Sequence, residues 1–148
     1  MKLAPTSNVA ILGFGARARA FAALLAPRGC ALRAWDPLLG GGNAAAHRAR
    51  IEAAGVDACA DLASALRGAR LVVLDTVPGS ALPPDLPTGQ DLLDLAASPP
   101  ARIEAALAAL GVQDARSRWE QACAAARAAA DSFAGTAPLD AVPRGGLP

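Results

Sequence analysis

The stretch Asn8-Val9-Ala10-Ile11-Leu12-Gly13-Phe14-Gly15-Ala16-Arg17-Ala18 constrains this chain more than any other. Its first five residues form a short apolar run that ends in glycine, which suits a buried parallel strand better than a helix. The run from Arg19 to Ala26 is made of strong helix formers and is stopped by Pro27-Arg28-Gly29. Strand, glycine turn and helix therefore follow one another without a spacer. In such a unit Gly13 permits the tight turn, Gly15 lets the backbone approach a ligand closely, and Ala18 keeps the helix near the sheet. The amides at the helix start are then free to bind phosphate oxygens.

The pattern repeats along the chain. Ala31-Leu32-Arg33-Ala34-Trp35 reads as a second strand closed by Asp36-Pro37, and Gly40-Gly41-Gly42-Asn43 precedes a helix from about Ala44 to Ala54. Gly55 to Cys59 reads as a weak third strand, Asp61 caps a short helix through Leu66, and Leu71-Val72-Val73-Leu74 is the fourth strand. Pro78, Pro83, Pro84 and Pro87 make a regular helix between Asp75 and Gln90 improbable. Asp91 to Leu95 is a fifth strand. Ser98 caps a helix through Leu110, and Val112-Gln113 adds a very short sixth strand. Strands alternating with helices predict an α/β fold with a doubly wound parallel sheet of five to six strands.

From about Asp114 to Phe133 the sequence is helical. Trp119, Cys123, Ala126, Ala130 and Phe133 form one apolar stripe, opposite Arg116, Glu120, Arg127 and Asp131. The stripe predicts a C-terminal docking helix, onto the sheet or onto a second subunit, with a homodimer through Trp119 and Phe133 as the expected partner. Because aromatic residues are only 3% of the chain and tyrosine is absent, the core must be built mainly from Ala, Leu and Val.

Charge excludes some functions. With 14 Lys+Arg against 13 Asp+Glu the net charge is +1, and the arginines are scattered, so no basic stripe for nucleic acid exists. Lys2 is the lone lysine, which removes nearly every candidate for chemistry that needs a tunable amine. Cys30, Cys59 and Cys123 are widely spaced and form no C-x-x-C, which argues against a disulfide framework or zinc knuckle and fits a reducing compartment. His47 has no ligand partner at i+3 or i+4 and reads as a solvated helix residue, so no metal site is expected. No signal peptide or spanning segment is apparent, and the expected location is cytoplasmic.

Asp36 follows Ala18 by 18 residues and sits at the end of the second strand, where a carboxylate can accept hydrogen bonds from both hydroxyls of an adenine ribose. Strand, glycines, helix, strand and acid thus occur in the order of a dinucleotide site. From Val9-Ala10-Ile11-Leu12-Gly13-Phe14-Gly15-Ala16-Arg17-Ala18, Gly29, Trp35-Asp36, Ala54-Gly55-Val56, Leu62 to Leu66 and Leu71 to Leu74, the chain resembles the NAD-binding domain of the 3-hydroxyisobutyrate and 6-phosphogluconate dehydrogenase superfamily. The Gly-Phe-Gly opening, and Asp94-Leu95 followed by Ser98-Pro99, look most like the threonate-dehydrogenase-like branch.

The resemblance implies a Rossmann-type NAD(P)-binding domain over residues 8–113; the residues themselves add an extension at 1–7, the helix at 114–133 and, from the Gly and Pro that follow Ala134, a disordered tail at 134–148. It implies NAD, with NADP second, held by Gly13, Phe14, Gly15, Ala16, Arg17, Ala18, Asp36 and Thr76. The implied activity is hydride transfer between nicotinamide and a small hydroxyacid. The alternatives are a non-catalytic dinucleotide-binding regulatory module and a degenerate, truncated relative. The family's catalytic lysine lies in a helical domain after the cofactor domain, and no residue here matches it, so no catalytic residue is expected. Asp75 and Asp94 stand near the carboxyl ends of strands, where they face the ligand crevice or cap turns. Arg17 and Arg19 supplement the amides at a diphosphate or lie on a solvated helix face. Thr76 and Ser80 carry hydroxyls able to hydrogen-bond a cofactor ribose, or are ordinary loop residues.

Overall fold

A computed structural model describes residues 3–75 and 90–136. Five parallel strands, β1 (Asn8–Leu12), β2 (Ala31–Trp35), β3 (Asp57–Ala58), β4 (Leu71–Leu74) and β5 (Asp91–Asp94), lie in the order β3-β2-β1-β4-β5. The helices are α1 (Ala16–Leu25), α2 (Ala44–Ala53), α3 (Leu62–Leu66), α4 (Pro100–Ala109) and α5 (Ala115–Thr136). The chain moves outward from β1 through β2 to β3, then returns to β4 on the other side of β1. This reversal makes the gap between β1 and β4 the topological switch point of the sheet, and ligands of open α/β sheets bind beyond the carboxyl ends of the strands at such a point.

Side chains alternate across a strand, so the unbroken apolar runs of β1 and β4 bury both faces. Val9, Ile11, Leu71 and Val73 join Phe21, Leu25, Leu107, Leu110 and Trp119 in the larger core. Ala10, Leu12, Val72 and Leu74 face the other way, against Ala65, Leu66 and Ala69. Small side chains let α1 sit close to the strands, since Ala18 and Ala22 are fully buried.

Helix α5 docks within its own chain. Trp119 is 5% exposed and meets Phe21 of α1 edge-to-face, with ring centroids 6.2 Å apart. A dimer face on the apolar stripe therefore loses Trp119 and the buried Ala126, which are already covered. The side chains of Ala130 and Phe133 lie outside the described residues. The helix extends to Thr136, beyond the expected end at Phe133, and the rest of the expected tail also lies outside the described residues.

Three expectations need correction. Val112 and Gln113 form no sixth strand: they sit between Gly111 (φ 97°) and Asp114 (φ 52°), and the Val112 amide donates to the Leu107 carbonyl. They belong to the turn from α4 into α5 and pair with no strand. The third strand shrinks to Asp57–Ala58, because Gly55 at φ 82° is still completing the turn out of α2. Pro99, not Ser98, is the N-cap of α4, and the Ser98 amide donates to the Asp94 carbonyl. The proline-rich crossover at 76–89 is outside the described residues.

Asp61 caps α3 as expected, accepting from the Ser64 amide at 2.7 Å. That hydrogen bond holds its carboxyl below the ordinary carboxylate value. A depressed folded pKa contributes stability that is present above the unfolded pKa and lost as pH falls through the folded one. The melting temperature of Asp61→Ala is therefore expected to lie below that of the parent at neutral pH, and the gap to close in acid, below about pH 4. Thermal melts of both chains across pH check this; a gap that persists in strong acid would remove the charged cap.

Candidate functional site

The site begins where β1 ends. The Gly13 amide donates to the Trp35 carbonyl at 2.7 Å, which carries the β1–β2 ladder one residue into the turn. Gly13 then takes φ 82°, a left-handed value that glycine adopts without the Cβ penalty of other residues. Gly15 is the N-cap of α1, with φ −94° and ψ −162°, and its carbonyl accepts the first helical bond from Arg19 at 3.0 Å. The glycine turn thus aims the start of α1 at the switch point, as the sequence predicts.

Asp36 closes the neighbouring side. One carboxylate oxygen accepts from the Phe14 amide at 2.9 Å and the other from the Leu38 amide at 2.8 Å, which fixes the 3-10 turn Pro37–Gly40. At 7% exposure Asp36 is not a solvated turn cap. Each oxygen retains a lone pair for another donor. A small cavity of about 40 Å³ opens beside it, lined by Phe14, Asp36, Leu38, His47, Arg50 and Ile51.

Arg33 and Arg48, the arginines nearest Asp36 along the sequence on either side, do not line this cavity. Arg33 donates to the carbonyls of Ser64 and Arg67 at 3.2 and 2.9 Å, and Arg48 to the Ala58 carbonyl at 3.1 Å. Both are tied to backbone. Arg50 and His47 stand at the cavity instead, and the available signal is helical spacing: positions 47, 50 and 51 of α2 share a face, and Ile51 is buried.

Asp75 is the larger surprise. Its amide donates to the Leu12 carbonyl at 2.8 Å, placing it directly beside the glycine turn. One of its carboxylate oxygens accepts from the amides of both Gly15 and Ala18, each at 2.9 Å. The residue is 4% exposed. Of the two roles open to it in the sequence it takes the capping one, but the helix it caps is α1, some sixty residues away along the chain. Asp94 caps its own turn, accepting from Ala96 and Ala97 at 3.0 and 3.2 Å.

Next to Asp75 lies a cavity of about 280 Å³ lined by Ala16, Arg17, Asp75, Cys123 and Arg127. Burial pushes the Cys123 thiol up, against the lowering effect of Arg127 and Arg17, so it stays protonated near neutrality and is a poor nucleophile. Arg17 is exposed at this cavity. Arg19 lies further down α1, in a surface groove with Arg50 and Ala54. Thr76 and Ser80 lie outside the described residues.

The fold and the position of the glycine turn define a Rossmann-like α/β domain with a C-terminal helix. No family model and no curated protein sequence matches the chain. Among solved structures it is similar to a conserved hypothetical protein from Sinorhizobium meliloti 1021, at 28% identity and a TM-score of 0.54 over 71% of this chain and 37% of that one. It is also matched to an imine reductase from Bacillus cereus BAG3X2 at 21% identity, covering 70% of this chain and 36% of that one with a TM-score of 0.49. An imine reductase from Aspergillus terreus in complex with NADPH4 and dibenz[c,e]azepine gives 22% identity, 72% and 38% coverage and a TM-score of 0.48. The chain therefore spans little more than a third of the length of each of these proteins.

Among the described residues no helix is long and apolar enough to cross a membrane.

Proposed function

We propose that the chain is a nicotinamide-dinucleotide-binding module of an oxidoreductase lineage that acts on small hydroxyacids, within the 3-hydroxyisobutyrate and 6-phosphogluconate dehydrogenase superfamily. The observation that carries this reading is the Gly13–Ala18 turn at the switch point between β1 and β4, with the buried Asp36 carboxylate bonded to the same turn. In it the adenine ribose lies against Asp36. The diphosphate lies along Phe14, Gly15, Ala16 and Ala18, with the guanidinium of Arg17 beside it. The bound nicotinamide would accept or deliver a hydride. No side chain is assigned as a catalytic acid or base, and the hydroxyacid class rests on the sequence resemblance. The free thiols of Cys30, Cys59 and Cys123 support a reducing, cytoplasmic setting.

NAD is the expected cofactor. A 2′-phosphate set against Asp36 would meet like charge at close range instead of offering two hydroxyl donors, and such a clash commonly costs a few kcal/mol. NADH is expected to bind roughly tenfold or more tightly than NADPH, tenfold being about 1.4 kcal/mol. Arg50 is the cation in position to weaken that preference. The NADPH4 in the imine reductase complex belongs to that protein.

Calorimetric titration with NAD, NADH, NADP and NADPH tests the whole reading. Silence to all four, persisting when Asp75 is replaced by asparagine, would overturn it and leave a relative without a ligand. Tighter binding of NADPH would keep the dinucleotide and overturn the role given to Asp36.

A further inference from the structure

We propose that Asp75 is a resident anion on the phosphate turn, so that this chain restrains its own binding of diphosphate-bearing ligands. The inference rests on the dinucleotide reading above and goes beyond it by naming what opposes the ligand. Its basis is the pair of 2.9 Å hydrogen bonds that the Asp75 carboxylate accepts from the Gly15 and Ala18 amides.

A helix start carries unpaired amides and the positive end of the helix dipole. In many helices a side chain at the N-cap satisfies one of them. Here the N-cap is Gly15, which has no side chain to do so, and the first turn of α1 contains no acid. Asp75 supplies the missing negative charge from the end of β4. It is held there by its backbone bond to Leu12 and is almost fully buried, so the contact is built into the sheet and not made by a swinging surface side chain.

The same amides and the same dipole are what a diphosphate needs. Two anions cannot both be neutralised by one helix start. Whether the phosphate displaces the carboxylate or settles beside it, the fixed negative charge opposes the ligand. If binding requires the carboxylate to leave, the apparent affinity falls by the fraction of molecules in which it has left. The structure also holds a place for a displaced carboxylate: Arg17 and Arg127 line the cavity that Asp75 borders.

Asp75→Asn keeps the shape and one acceptor oxygen while removing the charge, and Asp75→Ala removes both. Calorimetric titration of the parent and both variants with NADH, ADP and adenosine, together with thermal melting of the ligand-free chains, tests the proposal. NADH and ADP are expected to bind at least about tenfold more tightly to Asp75→Asn. Adenosine, which has no phosphate, is expected to bind all chains alike. The melting temperature of ligand-free Asp75→Ala is expected to fall, because α1 loses its cap. Affinity and stability thus move in opposite directions, which a purely structural aspartate would not produce. If Asp75→Ala does not fold, the Asn variant carries the test alone. Unchanged or weaker NADH binding to Asp75→Asn, in a series where the parent binds, overturns this inference and leaves the dinucleotide reading intact. An equal gain for adenosine overturns it too. Silence of every chain to NADH overturns both, whereas a silent parent beside a binding Asn variant is its strongest support.

Discussion

Replacing Phe21 with alanine is expected to cost about 3–5 kcal/mol, the usual range for emptying a buried aromatic site. Phe21 is fully buried between the sheet and the C-terminal helix and forms the edge-to-face contact with Trp119. Truncation removes the transfer energy of the ring and leaves a cavity that α1 and α5 can close only by moving together. The surrounding core has little to offer in exchange, because so many of its side chains are alanines already in contact. Against a net stability of roughly 5–15 kcal/mol for a domain, such a loss removes from about a fifth to all of it. Urea denaturation followed by circular dichroism measures it, and a red shift of Trp119 emission in the folded variant, read in a Trp35→Phe background, reports the opened seam. A cost under about 1 kcal/mol would show that α5 does not depend on α1.

That dependence is also where reading from sequence reaches its limit. The stripe of Trp119, Cys123 and Ala126 fixes the buried face of α5, but an amphipathic pattern is indifferent to whether the covering surface belongs to the same chain or to another. Only the position of Phe21 on the facing side of α1 decides it. The central strands β1 and β4 are legible because a strand buried on both faces must be apolar at every position, and the glycines mark the end of β1. The edge strand β3 has no such demand on it. Its two residues pair only with β2, and Gly55 delays its start.

The site divides in the same way. The glycine turn and Asp36 lie within one βαβ unit, so their spacing along the chain encodes their approach in space. The bond from Asp75 to Gly15 and Ala18 crosses 60 and 57 residues and depends on β4 returning to lie beside β1. An acid immediately after an apolar strand signals the crevice without saying which helix it meets. Arg50 was hidden for a more local reason, since Arg33 and Arg48 are nearer to Asp36 along the chain, and only the helical face that Arg50 shares with His47 and Ile51 brings it to Asp36.

Replacing Gly15 with valine is expected to weaken NADH binding by at least about a hundredfold while leaving the fold in place, a loss of about 2.8 kcal/mol or more. The two glycines of the turn differ in what they supply. Gly13 sits at φ 82°, where a β-branched residue is strained, so changing it would test folding before it tested binding. Gly15 sits at φ −94° and ψ −162°, extended backbone that any residue adopts. Its backbone does not require glycine. What glycine supplies there is the absence of side-chain bulk at the helix start, where a diphosphate must approach the amides closely. A valine keeps the amide that donates to Asp75 and gives up the preference of an N-cap for glycine over valine, on the order of 1 kcal/mol. The far-ultraviolet circular dichroism and the urea midpoint should therefore stay near those of the parent while the calorimetric signal for NADH disappears. The contrast with Asp75→Asn is diagnostic, because one change obstructs the amides and the other frees them of a competing charge. Equal NADH affinity in Gly15→Val and the parent would remove the phosphate turn from the site, and with it the place where Asp75 acts.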